Sequence, residues 1–294
     1  MGFMSQAFHS SSKRGIFFML LAMLIFSILN AIVKDTTSSY DPIQLVFFRC
    51  FFAAFPSAIF LVIRGQWMLP SSSEWKIHFK RAFLLAIGLS SLFIGIGKLP
   101  LSNSMALYFS ATLFLVVLSY PILREKIVFS QWLAVIIGLI GVLIIAKPGG
   151  DVFQWGALFL IIGAFMESAY NLYGRLLSST HNSFMLTFLG SLLPALVILL
   201  ALPFVWVTPD FGGWVALISL GLGGGLGQLC ITFAYHHASA GILAPMIYSA
   251  MLWSVMLDIM LYENWPTESL LLGCGIIIVS GLMIVFSEAK RKKA

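Results

Sequence analysis

The sequence predicts an all-α membrane protein with ten transmembrane helices in two inverted five-helix repeats. Three observations carry that prediction: an apolar composition, ten apolar runs of spanning length, and polar residues that recur at fixed offsets. Of 294 residues, 60% are hydrophobic and only 10% charged. Soluble domains carry about a quarter charged residues, and disordered chains need low hydrophobicity, so both classes are excluded. The net charge of +6 is spread over loops and a tail, which argues against nucleic acid as a partner.

About 20 apolar residues cross the hydrocarbon core. Such runs lie at 15–34, 43–63, 82–98, 102–123, 128–146, 155–174, 184–206, 214–235, 240–262 and 268–287. The first follows Lys13-Arg14 and imitates a signal peptide. It is too long for a typical apolar signal core and has no small-x-small exit, so it reads as a retained helix. Asp41-Pro42, Arg124-Glu125-Lys126, Lys147-Pro148-Gly149-Gly150 and Asn264-Trp265-Pro266 punctuate the runs. The connection 64–81 is longer and holds Arg64, Lys76, Lys80 and Arg81. With both termini cytoplasmic, thirteen Lys and Arg lie inside and only Lys34, Lys98 and Lys147 outside, as the positive-inside rule expects. The basic tail, Lys290 to Lys293, anchors that topology. Cys50, Cys230 and Cys274 each sit in an apolar run and read as buried small hydrophobes. The short loops fit a bacterial inner membrane.

Residues 1–150 form the first repeat (spans one to five) and 151–294 the second (spans six to ten). At an offset of 141, Ser27, Asn30 and Lys34 fall on Ser168, Asn171 and Arg175. At 138, Ala106 falls on Ala244 and Glu125 on Glu263. Five spans per half place the halves upside down relative to each other, the plan of many secondary transporters.

These residues carry a family resemblance. In the first half they are Leu99-Pro100-Leu101-Ser102-Asn103-Ser104, Ala106, Phe109, Arg124-Glu125-Lys126, Gly138, Gly141-Val142 and Lys147-Pro148-Gly149. In the second they are Ala234-Tyr235, Ala238, Leu243-Ala244-Pro245, Tyr248, Glu263, Gly273 and Ser280-Gly281. In their order and spacing the chain resembles the ten-span EamA-type branch of the drug/metabolite transporter superfamily. The resemblance implies a basket in which the first, third, fourth, sixth, eighth and ninth helices line a cavity and the fifth and tenth pack outside. It also implies a small organic metabolite as substrate. Thr112 stands where the family often has proline, so the usual reason for a break in the fourth span is missing; Pro245 supplies one in the ninth.

Glu167 sits near mid-bilayer, where a lipid-facing charge is costly. It reads as a proton carrier or an anchor for a substrate cation, or more plainly as a partner for Arg49. Asn30 and Asn171 occupy matching positions and either bind an amphoteric substrate or bridge helices. Arg49 either snorkels to headgroups or clamps a carboxylate. Asp258, near a span end, suits a gate or interfacial role. Tyr108, Tyr170, Tyr248 and Trp253 are candidate cavity walls for a flat or cationic substrate. Gln228 follows the run Gly221-x-Gly223-Gly224-Gly225-x-Gly227, which reads as close helix packing and bending rather than a nucleotide loop. Adjacent His236 and His237 face apart and suggest no shared metal.

The leading function is secondary transport by alternating access, of an amino acid first and of S-adenosylmethionine or another nucleotide-like or vitamin metabolite second. Coupling comes from a proton or from substrate exchange; a homodimer stays open. An intramembrane enzyme is the contrasting class, but no nucleophile–base motif lies within the spans. No cofactor or metal is expected.

Overall fold

The computed structural model describes residues 2–65, 67, 69–125, 127–146, 155–178 and 180–291. The described residues hold no strand. Twelve helices follow in order: α1 Gly2–Thr36, α2 Pro42–Arg64, α3 Ser72–Lys98, α4 Leu101–Tyr108, α5 Ala111–Leu123, α6 Phe129–Ala146, α7 Trp155–Leu177, α8 Ser183–Leu199, α9 Phe211–His237, α10 Ala240–Ile247, α11 Ser249–Tyr262 and α12 Glu268–Arg291. Nine segments among the described residues are long and apolar enough to cross a membrane. The expected span 184–206 is instead a 17-residue apolar helix followed by a 3-10 turn, Leu202–Phe204. Lys126, the residues Lys147–Gly150 and the tail residues Lys292 and Lys293 lie outside the described residues, as does the side chain of Ala244.

Local chemistry sets the ends. Asp41 caps α2 through Ile43 N, Pro42 pre-sets its first turn, and Gly65 closes it in the left-handed region at φ 59°. The expected third span, 82–98, starts ten residues earlier. Ser71 and Glu74 form a capping box, with Ser71 N donating to Glu74 Oε2 at 2.7 Å. Lys76, Lys80 and Arg81 therefore ride on a helix rather than in a loop.

Two spans are broken, at matching places. One breaks between α4 and α5 at Phe109–Ser110; the other breaks between α10 and α11 at Tyr248. Ser110 and Tyr248 differ by the 138-residue offset that relates these spans. The break at Phe109–Ser110 occurs without the proline. Thr112 bends the chain through a local bond, its Oγ1 donating to Phe109 O at 2.9 Å. The Phe109 and Tyr248 rings stack at 5.2 Å, so the two breaks touch.

Glycines set the closest helix contacts. Gly15 of α1 lies on Ala234 and Ala238 of α9, while Gly156 and Gly95 join α7 and α3 beside Leu99. Positions 15 and 156 are 141 apart, and 234 and 238 follow 95 and 99 by 139. α6 and α12 meet backbone to backbone at Gly141 and Gly273, and Ser280 Oγ donates to Ala134 O at 2.6 Å. Their other faces, including Ile136, Ile140, Leu272 and Val279, are exposed, as lipid-facing residues are. The inner core joins Leu45, Ile96, Leu101, Leu160, Leu217 and Leu220, all fully buried.

Candidate substrate-binding site

The polar residues on the inner helix faces converge between α1, α2, α4, α7, α9 and α11. On α7, Glu167 and Asn171 share a face with the buried Leu160, Ala164 and Ser168. Asn171 is nonetheless exposed. Gln228 of α9 repeats the pattern, being exposed on the face of the buried Gly221, Gly224 and Thr232. Tyr235, two turns further toward the end that carries Arg64, is exposed as well.

Arg49 does not snorkel. Its guanidinium lies against Gly224, halfway along α9, where any Cβ would collide with it, and 5.8 Å from the Phe26 ring centroid. From there it lies within electrostatic range of Glu167, one helical turn from Asn171 on α7. Among the described residues, the pairs within 4.0 Å are Arg175–Glu125 and His181–Glu74. Arg49 and Glu167 thus influence each other without closing a direct ion pair. Opposite charges held apart leave both available to a zwitterion.

Several polar atoms nearby lack partners. Tyr108 Oη and Trp253 Nε1 are buried and unbonded, as are Ser110 and Ser249 Oγ at the two helix breaks. Tyr108 lies beside Gly163 of α7. Asn30 offers its amide only to the Met105 sulfur, at 3.1 Å, a weak acceptor. Buried donors without partners cost about 1–3 kcal/mol each, which a bound molecule can relieve.

Three more of the expected site residues have defined contacts. Tyr248 is 8% exposed; its hydroxyl fills the space over Gly281 of α12. It braces the break instead of lining the cavity. Tyr170 sends its hydroxyl to Gly190 of α8 and its ring to Arg81. Asp258, fully buried four residues before the end of α11, accepts from Leu101 N at 3.0 Å, Ser102 N at 2.6 Å and Ser102 Oγ at 2.5 Å. It caps α4, whose own N-cap position is Pro100 with no capping side chain.

Asp258 is one of a set of bonds that close the end carrying Lys34. Lys34 Nζ donates to Leu99 O at 2.6 Å, and Tyr262 Oη donates to Asp35 Oδ1 at 2.7 Å. Gln44 and Val207 exchange two bonds of 2.8 Å. Tyr40 donates to Asp210; burial, with that carboxylate beside it, pushes its hydroxyl above the usual phenol range, so it stays a donor. The described residues hold no cluster of three or more His, Cys, Asp or Glu that could bind a metal.

Sequence reasoning missed Arg81. Taken for a loop cation, it is a membrane-helix residue only 5% exposed.

Comparison with known proteins places the chain in a family. The sequence profile of the EamA-like transporter family matches residues 13–147 and again 154–286. The chain is 26% identical over 275 residues to an S-adenosylmethionine uptake transporter of Rickettsia bellii, covering 92% of this chain and 94% of that protein. It is 29% identical over 290 residues to a riboflavin transporter of Vibrio cholerae, covering 95% of each. It is 25% identical over 284 residues to a pseudopaline exporter of Pseudomonas aeruginosa, covering 95% of this chain and 98% of that one. A solved crystal structure, 17% identical, shares the fold with a TM-score of 0.66 over 97% of this chain and 98% of its own. With both halves matching one profile, the chain belongs to the EamA-like transporter family of the drug/metabolite transporter superfamily.

Proposed function

We propose that the chain is a secondary active transporter of an amphoteric, ring-bearing metabolite, with S-adenosylmethionine the first candidate. One observation carries the reading: Arg49 and Glu167 lie within electrostatic range of each other without forming an ion pair, and the inner helices also bury Tyr108 Oη and Trp253 Nε1 without partners. A carboxylate suits Arg49. An ammonium or sulfonium suits Glu167. A heteroaromatic ring suits the indole and phenol. Asn30, Asn171 and Gln228 supply further donors and acceptors. Amino acids stand second; they use the charged pair but leave the aromatic donors idle. The relatives' names favour that order, since they include S-adenosylmethionine and riboflavin.

The matched contacts of Gly15 with Ala234 and of Gly156 with Gly95 support two inverted halves, 1–150 and 151–294. The bonded Lys34 end and the exposed Asn171, Gln228 and Tyr235 support a cavity shut at the Lys34 end and open at the Arg64 end. With the positive-inside orientation, that is an inward-open carrier in a bacterial inner membrane, both termini cytoplasmic. Transport then alternates by exchanging the closed end. Glu167 is the proton carrier if the flux is gradient-driven.

Counterflow in proteoliposomes tests the function. Vesicles are loaded with unlabelled S-adenosylmethionine, or separately with mixed amino acids, and entry of the matching labelled compound is followed. Transient accumulation with S-adenosylmethionine supports the proposal, and accumulation with amino acids alone moves it to the second candidate. Silence in both, from folded protein, overturns it.

A further inference from the structure

Arg81 has no role in the site so far. It is 95% buried within a membrane helix, and its Nη1 has no hydrogen-bond partner. The rest of its guanidinium is well placed. Nε reaches Tyr170 O at 3.4 Å, and Cζ lies 4.4 Å from the Tyr170 ring centroid. Two glycines make room for it, Gly174 of α7 and Gly190 of α8; a Cβ on Gly174 would stand 2.9 Å from Nη2. Neighbouring acids do not satisfy it. Glu74, two turns earlier, is held by Ser71 and lies 3.7 Å from His181. An arginine stays charged at any accessible pH, and an unmet N–H of that charge within a membrane is costly.

Its position gives the cost a use. Glu167, Asn171 and Gly174 follow one another along a single face of α7. Glu167 and Gly174 are seven residues apart, about 10 Å along the helix. Arg81 therefore sits against the same face of α7 as Glu167 and Asn171, beyond Asn171 toward the Arg64 end. Tyr170 joins the two places, being within electrostatic range of both Arg81 and Arg49.

We propose that Arg81 is a second carboxylate subsite on the substrate path, presenting Nη1 to the substrate's carboxylate between Arg49 and the Arg64 end. The assignment rests on the transport of an amphoteric metabolite proposed above. A carboxylate is the matching ligand because arginine donates to it in a planar, charge-assisted geometry. Arg49 and Arg81 then form two stations, with Glu167 holding the cationic part of the same molecule.

The test compares substrates with and without the carboxylate charge. Binding of S-adenosylmethionine, L-methionine and L-methioninamide is measured on purified full-length protein by thermal shift, and counterflow gives KM for the transported compound. Wild type is set beside Arg81→Gln and Arg81→Lys. The expected result is that Arg81→Gln lowers the preference for the carboxylate over the carboxamide by about tenfold, the scale of a charged hydrogen bond. Arg81→Lys restores part of it. A folded Arg81→Gln protein with the wild-type preference overturns the subsite and leaves the transport reading intact. If Arg81→Gln does not fold, Arg81→Lys decides, since a lysine keeps the charge but not the planar fork, and an unchanged preference overturns the subsite. Wild type that binds and moves none of the three overturns both readings.

Discussion

Asp258 and Ser102 are joined by two hydrogen bonds across the molecule, from the Ser102 amide at 2.6 Å and its hydroxyl at 2.5 Å. They lie 156 residues apart, on α11 and α4. The bonds put a carboxylate at the positive end of α4, where Pro100 offers no side-chain cap. Lys34 lies within electrostatic range of the same carboxylate. One acid from the second half therefore completes a helix of the first.

Replacing Asp258 by Ala should strip three buried donors of their acceptor and destabilise the protein by about 3 kcal/mol. Asp258→Asn keeps an acceptor and should cost less. Thermal unfolding in detergent reads the difference. If Asp258→Ala unfolds at the wild-type temperature, the cap contributes nothing.

Glu167→Gln should abolish gradient-driven uptake while leaving the fold intact, because the amide preserves the shape and hydrogen-bonding capacity of the side chain but cannot carry a proton. Two assays separate its roles. Exchange at equilibrium survives if Glu167 only carries protons and fails if it also binds substrate. Normal pH-dependent uptake by the variant removes it from coupling.

Gly224→Ala should displace the Arg49 guanidinium, which occupies the space a Cβ needs. Substrate affinity should fall about tenfold, as when a charged hydrogen bond is lost. Gly275→Ala is the control, since nothing lies within 4 Å of a Cβ there. Equal affinity in the two variants would detach Arg49 from binding.

Tyr108→Phe should leave the ligand-free protein as stable as wild type or slightly more so, because it removes a buried hydroxyl that has no partner. The thermal shift given by S-adenosylmethionine should shrink. A stability loss without ligand would mean that the hydroxyl already has a partner.

Composition and apolar run lengths made the helical membrane fold legible, because the bilayer constrains them directly. Glu167, Asn30 and Asn171 were legible for the same reason, as polar atoms in apolar runs. Arg81 was not. Its neighbours Lys76 and Lys80 disguised the first turns of α3 as a loop, although Ser71-x-x-Glu74 announced the helix. The paths of Arg49 and Tyr248 depend on Gly224 and Gly281, which lie far along the chain. A glycine advertises room but not which side chain takes it. The break at Phe109–Ser110 was hidden because hydroxyl bonding, not proline, makes it.

The stacked breaks at Phe109 and Tyr248 turn two long rods into four short ones that meet at a common fulcrum. α4 and α10 are each eight residues long, about 12 Å of lever. A tilt of about 20° at the fulcrum moves the far end of such a lever by about 4 Å, on the scale of a side chain. The aperture at either face can therefore change by the width of a small solute while the rest of the scaffold stays still.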